Sequence, residues 1–129
     1  MPTPISMETD QIAKTVVDAA FRVHSRLGPG LLESVYEACL DHELRKRNLT
    51  VRRQVVVPVV YDDVRIDEGF RIDLLVENLI IIEIKAVERS LPVFEAQLLT
   101  YLRLTRLRLG FLINFNVAQI KAGIRRIAL

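Results

Sequence analysis

The chain has almost no cysteine. Cys39 stands alone among 129 residues, so no internal disulfide can form, and without a CxxC pair or a histidine-rich tract there is no zinc-finger pattern. A disulfide-bound secreted mini-protein and a zinc finger are therefore excluded, and a reducing, cytoplasmic compartment is expected. Long hydrophobic runs are missing as well. The longest, Val55–Tyr61, is seven residues and holds Pro58, against about 20 for a bilayer span. Glu8 and Asp10 stand where a secretory leader would be apolar, so neither a targeting segment nor a membrane partner is expected. Repeats, low-complexity tracts and internal linkers are absent too. Residues 1–7, with Pro2 and Pro4, are expected to form a loose flexible tail, and 8–129 a single domain. A domain of this length buries roughly two-thirds of its unfolded surface and needs no disulfide or structural metal.

Net charge is low, at +2, but unevenly placed. From Tyr61 to Glu95 nine acids face four bases, whereas from Ala96 to Leu129 six bases face no acid. An acidic centre between basic flanks could hold a cation beside a polyanion, the alternative being an uneven solvated surface.

Apolar positions at Ile12, Val16, Ala19, Ala20, Val23 and Leu27 recur three and four apart, which predicts an amphipathic helix stopped by Leu27-Gly28-Pro29-Gly30. A second helix, about 31–47, is expected to bury Leu32, Val35, Tyr36, Cys39, Leu40 and Leu44, with Asn48 as a left-handed cap. After Thr50 the period moves toward two, predicting strands over 51–60, 64–75 and 79–85, the first at an edge or bulged because of Pro58. Pro92 opens a helix with Phe94, Leu98, Leu99 and Leu102 toward the core, and strands follow at 110–115 and 124–129. The order α-α-β-β-β-α-β-β implies an α/β or α+β class, a mixed sheet flanked by helices in three layers.

The strand Leu79–Lys85 is apolar enough to be central, yet carries Glu83 and Lys85 on one face with Ile81. The preceding strand holds a single carboxylate, Asp73. A buried carboxylate needs a partner, a proton or a cation. Residues opposite one another in an antiparallel pair share a face. A two-residue turn would pair 73 with 82, whereas a three-residue connection, Glu77-Asn78-Leu79, pairs 76 with 80 and sets Asp73 opposite Glu83. Two carboxylates and a lysine so placed suit phosphodiester hydrolysis assisted by Mg²⁺ or Mn²⁺, the lysine orienting water or neutralising phosphate. The alternative is a buried ion pair with Lys85 or Arg71.

Asp73, nine intervening residues and Glu83-Ile84-Lys85 resemble the PD-(D/E)XK nuclease signature, with Ile72 where that motif often has proline. The segment Gly30-Leu31-Leu32-Glu33-Ser34-Val35-Tyr36 is similar to the name-giving motif of the GxxExxY proteins, a branch of that superfamily. Gly69–Glu77, Glu83–Val87, Gln97–Leu102 and Leu112–Phe115 resemble it as well, so the likeness covers 8–129. It implies a restriction-endonuclease-like core in which Asp73, Glu83 and the Ile84 carbonyl bind metal and Lys85 serves the water. Glu33 resembles a helical carboxylate aimed at the same ion, or is a surface acid paired to an arginine. Gln97 and Tyr101 resemble a QxxxY element, one helical turn apart, with Tyr101 as a core aromatic the alternative. Tyr36 bonds Glu33 or simply packs.

His24 and His42 lie in no motif and are expected at the surface; Cys39 reads as packing. Arg45, Lys46, Arg47, Arg52 and Arg53 could follow a phosphate backbone, with Arg103, Arg106 and Arg108 as a second rail. The expected function is a metal-dependent nuclease acting on nucleic acid, DNA by analogy. Two alternatives stand beside it: a non-catalytic nucleic-acid-binding or oligomerisation module on the same fold, and an unrelated hydrolase using the carboxylates as acid and base. Cutting both strands would call for a homodimer.

Overall fold

A computed structural model describes residues 4–129. Two helices come first, α1 (Met7–Leu27) and α2 (Glu33–Lys46). Strands β1 (Val51–Val56), β2 (Val59–Tyr61), β3 (Val64–Ile66), β4 (Arg71–Val76) and β5 (Ile80–Lys85) follow, then α3 (Pro92–Thr105), β6 (Leu109–Asn114), a 3₁₀ turn (Ile120–Gly123) and β7 (Ile124–Ala128). Five strands form one sheet in the order β1-β4-β5-β6-β7. Among the described strands only β5 and β6 run parallel, and α3 is the crossover that such a pair requires. Ile80, Ile82 and Ile84 pack with Val16, Tyr36 and Leu40 beneath α1 and α2, while Ile81 packs with Leu98 and Leu102 of α3 on the other face. This is the expected three-layer α+β architecture, consistent with a restriction-endonuclease-like fold.

The strand count differs. The segments expected as continuous over 51–60 and 64–75 each break, one at Val57-Pro58 and the other at 67–70. Pro58 has no N–H to give a ladder, and Gly69 sits at φ 101°. Beyond the breaks, β2 and β3 form a separate two-stranded hairpin turned through Asp62 and Asp63, both left-handed. The order is thus α-α-β-β-β-β-β-α-β-β.

Other expectations need local revision. Of the anticipated tail, residues 1–3 lie outside the described part, but Ile5 packs against the core, Ser6 caps α1 by accepting the Thr9 N–H at 3.1 Å, and Met7 is helical. Leu32 precedes α2 and is 73% exposed, and Val35 also faces solvent. His24 is buried, not superficial, its Nε2 donating to the Val117 carbonyl at 2.7 Å, while His42 is exposed. No described helix is long and apolar enough to cross a membrane.

The β4–β5 connection follows the expected register, with Val76 opposite Ile80 and Leu74 opposite Ile82. Glu77 and Asn78 both take positive φ, and the Leu79 N–H donates to the Val76 carbonyl at 2.9 Å. A tight turn followed by one extra residue is how three residues make this link.

Candidate functional site

Past Leu74 and Ile82 the β4–β5 ladder gives way to side-chain contacts. The Asp73 carboxylate enters the gap, its Oδ2 accepting the Ile84 N–H at 2.8 Å, while the Asp73 N–H reaches Glu83 Oε1 at 3.4 Å. The Lys85 carbonyl accepts from Phe115 on the β6 side. Alternation along the strand therefore turns both the N–H and the carbonyl of Ile84 toward β4. Asp73, Glu83 and the Ile84 carbonyl thus converge where two neighbouring strands part.

Glu83 is buried, 7% exposed. Its pKa is pushed up to about 9, first by burial and then by the charge of Asp73 and a hydrogen bond with it; a backbone hydrogen bond from Asp73 and the Lys85 charge oppose this in part. Tyr101, also buried, packs edge-to-face on Phe70 with ring centres 5.7 Å apart. Burial raises its hydroxyl pKa, as do the charges of Glu83 and Asp73, against a backbone hydrogen bond from Arg71. Lys85 is half-buried with Nζ 4.4 Å over the centre of the Phe94 ring. Gln97 lies on exposed helix and makes no side-chain hydrogen bond among the described residues.

On the other side of Asp73 is an open pocket lined by Glu33, Ser34, Glu37, Gln54, Asp73 and Ile84. Glu33 reaches it from the first turn of α2, a position set by the turn before it. Gly28 and Gly30 have positive φ, and Tyr36 clamps their loop, donating from Oη to the Gly28 carbonyl at 2.6 Å and accepting the Leu31 N–H at 3.1 Å. Its ring stacks on Phe115 at 4.6 Å. Tyr36 therefore holds the turn and leaves Glu33 unbonded by it. Glu33 shares this pocket with Asp73, and Glu83 meets Asp73 from β5; among the described residues no three His, Cys, Asp or Glu side chains come together closely enough to hold a metal ion.

Two residues of this pocket were not singled out in the sequence. Glu37 is buried and accepts from Arg53 Nη2 at 2.9 Å and Gln54 Nε2 at 2.6 Å. Its position one helical turn after Glu33 was a signal for it. Gln54 offered none.

The basic residues are divided. Arg53 borders the site through Glu37, and Arg52 is exposed beside it. Arg45, Lys46 and Arg47 end α2 near Val51, where Arg45 donates to the Val51 carbonyl, and they pair with Asp41 and Glu43. Arg103, Arg106 and Arg108 lie where α3 ends and β6 begins, and Arg108 donates to the Leu129 carbonyl. Both of these groups occupy the end of the sheet opposite Glu83 and Lys85, so the structure does not bring them to the carboxylates.

A family model described as the PD-(D/E)XK nuclease superfamily matches residues 10–127. No curated protein and no solved structure matches the chain.

Proposed function

The chain belongs to the PD-(D/E)XK nuclease superfamily, and from that premise we propose that it is a metal-dependent nuclease hydrolysing nucleic-acid phosphodiester bonds, DNA before RNA. One observation carries the reading: Asp73 and Glu83 meet at the parting of β4 and β5, with Lys85 two residues further along the same strand. The Gly30–Tyr36 segment supports placement in the GxxExxY branch.

The donor set fits Mg²⁺ or Mn²⁺. It is all oxygen, as hard cations prefer, and a carboxylate that keeps its proton first through burial and then because another lies beside it is one that a divalent cation would relieve. Asp73, Glu83 and the Ile84 carbonyl are the ligands we assign, with Glu33 across the pocket as a further acid. A bound cation would polarise the scissile phosphate and acidify an attacking water. Lys85, steadied over Phe94, supplies a positive charge for that water or for the charge growing on phosphate. Tyr101, kept neutral, can donate from Oη beside Glu83, and to Gln97, exposed on α3, we assign a contact with substrate. With one such site per chain, cutting both strands would take two copies.

The test is incubation with single- and double-stranded DNA and RNA at millimolar Mg²⁺ or Mn²⁺, with Lys85→Ala and Lys85→Met alongside. A lysine opposes a cation, so both variants should bind metal as well as the wild type or better. Both should cleave about a hundredfold more slowly or worse, the scale for loss of one preorganised transition-state group. Wild-type nucleic-acid binding with no cleavage would overturn the reading in favour of a non-catalytic module; unchanged rates in both variants would remove Lys85 from the chemistry.

A further inference from the structure

Resting on the nuclease reading, we propose that Gln54 is a positioning residue: its side-chain amide, presented by a left-handed backbone, holds the Asp73 carboxylate in the gap between β4 and β5. The β1–β4 ladder keeps one register from Val51↔Val76 to Val56↔Arg71, yet the pair that would join Gln54 to Asp73 is missing from it. At that point both strands exchange faces. Val51 packs beneath α1 and α2 while Val55 packs on the α3 side, although residues four apart on a regular strand share a face. Ile72 and Leu74, two apart, are likewise on opposite faces.

The backbone supplies the cause. Gln54 has φ 53°, a conformation that side chains other than glycine avoid. Its own packing offers no compensation, since the residue is exposed. What the conformation achieves is the placement of the amide. Nε2 donates to Glu37 Oε1 at 2.6 Å and reaches Asp73 Oδ1 at 3.3 Å. Glu37 is itself buried and gripped by Arg53, whose Nε and Nη2 donate to Oε2 at 3.1 and 2.9 Å. The series Arg53, Glu37, Gln54, Asp73 thus ties α2 and β1 to the carboxylate. The Ile84 N–H holds Oδ2 and the Gln54 amide holds Oδ1, so the side chain is fixed from two directions. Unfavourable backbone retained beside a site is a mark of pre-organisation when neighbouring contacts enforce it.

Gln54→Gly separates the strain from the contact, because glycine takes positive φ freely and carries no amide. The expected result is a melting temperature at or above that of the wild type. Mn²⁺ affinity by calorimetry should fall about 10- to 100-fold, the loss typical of removing an outer partner of a metal ligand, and excess Mn²⁺ should restore the cleavage rate. Gln54→Asn, which tolerates the backbone but is one methylene short, should behave as the glycine variant does. Unchanged Mn²⁺ affinity in Gln54→Gly, with a wild type that binds and cleaves, overturns this proposal alone. A glycine variant that melts well below the wild type also overturns it, because Gln54 would then serve the fold. A wild type that neither binds Mn²⁺ nor cleaves overturns the nuclease reading and this role with it.

Discussion

Glu83 carries the largest electrostatic tension in the molecule, and it has a pH signature. Its folded pKa is about 9 against an ordinary 4.5. Between those values the metal-free folded protein keeps a proton that the unfolded chain has released, so stability falls as pH rises from about 4.5 to 9 and is flat in this respect beyond. In urea titrations across that range without metal, the wild type should lose stability with pH more steeply than Glu83→Gln, which has no proton to keep. Parallel curves for the two proteins would show that Glu83 is ionised throughout. The pairing of Asp73 with Glu83 was legible in the sequence because burying a lone carboxylate is expensive and strand alternation left few registers that could bring two together. Glu37 was legible only as the acid one helical turn after Glu33, not in its salt bridge to Arg53, 16 positions away, and Gln54 depends on a backbone angle that no residue type announces. The buried His24 likewise takes its hydrogen-bond partner, the Val117 carbonyl, from a loop far along the chain.

At the scale of elements, the loop after Lys85, the end of β6 and the 3₁₀ turn are locked around Asn114. Its Nδ2 donates to the Val87 carbonyl at 2.9 Å, and its Oδ1 accepts from the Val87 and Asn116 N–H groups, each at 3.1 Å. Gly123 closes this joint from the other side: a Cβ there would lie 2.1 Å from the Asn114 carbonyl oxygen and 3.1 Å from Val117 Cγ2. Backbone cannot rotate away as a side chain can, so Gly123→Ala must push the 3₁₀ turn off β6. The expected loss is about 3 kcal/mol or more, the upper end for overpacking, read as a lower urea midpoint. A loss below about 1 kcal/mol would mean that the turn shifts freely. Helices α1, α2 and α3 were readable because apolar residues recur three and four apart along them, and β5 and β6 because each is a short, nearly continuous apolar run. The segment from β1 to β4 was read as two strands where it holds four, because Pro58 breaks the ladder inside a run of valines and Gly69 breaks it where Phe70 to Val76 carries on the apolar pattern.

For the molecule as a whole, the charge pattern along the chain and the charge pattern in space part company. The basic segments flanking the acidic centre suggested rails beside the carboxylates, but α3 carries Arg103 away from them. Phe94, in its first turn, meets Lys85, and Arg103 comes nine residues later, about 14 Å along the axis. At 0.15 M ionic strength the Debye length is about 8 Å, so a charge that far off is largely screened from the reacting phosphate. Arg106, the left-handed cap of α3, lies further still. Arg103→Glu should therefore change cleavage of a short single-stranded oligonucleotide by less than about twofold at that salt, and more strongly only as salt is lowered. With a long duplex the outcome reports the path of the nucleic acid. If Arg103 contacts a phosphate, the logarithmic salt slope of binding should drop by about one and cleavage should fall with it. If the slope is unchanged on long and short substrates alike, the strand enters only at the end of the sheet where α2 and α3 begin, and the far cations take no part.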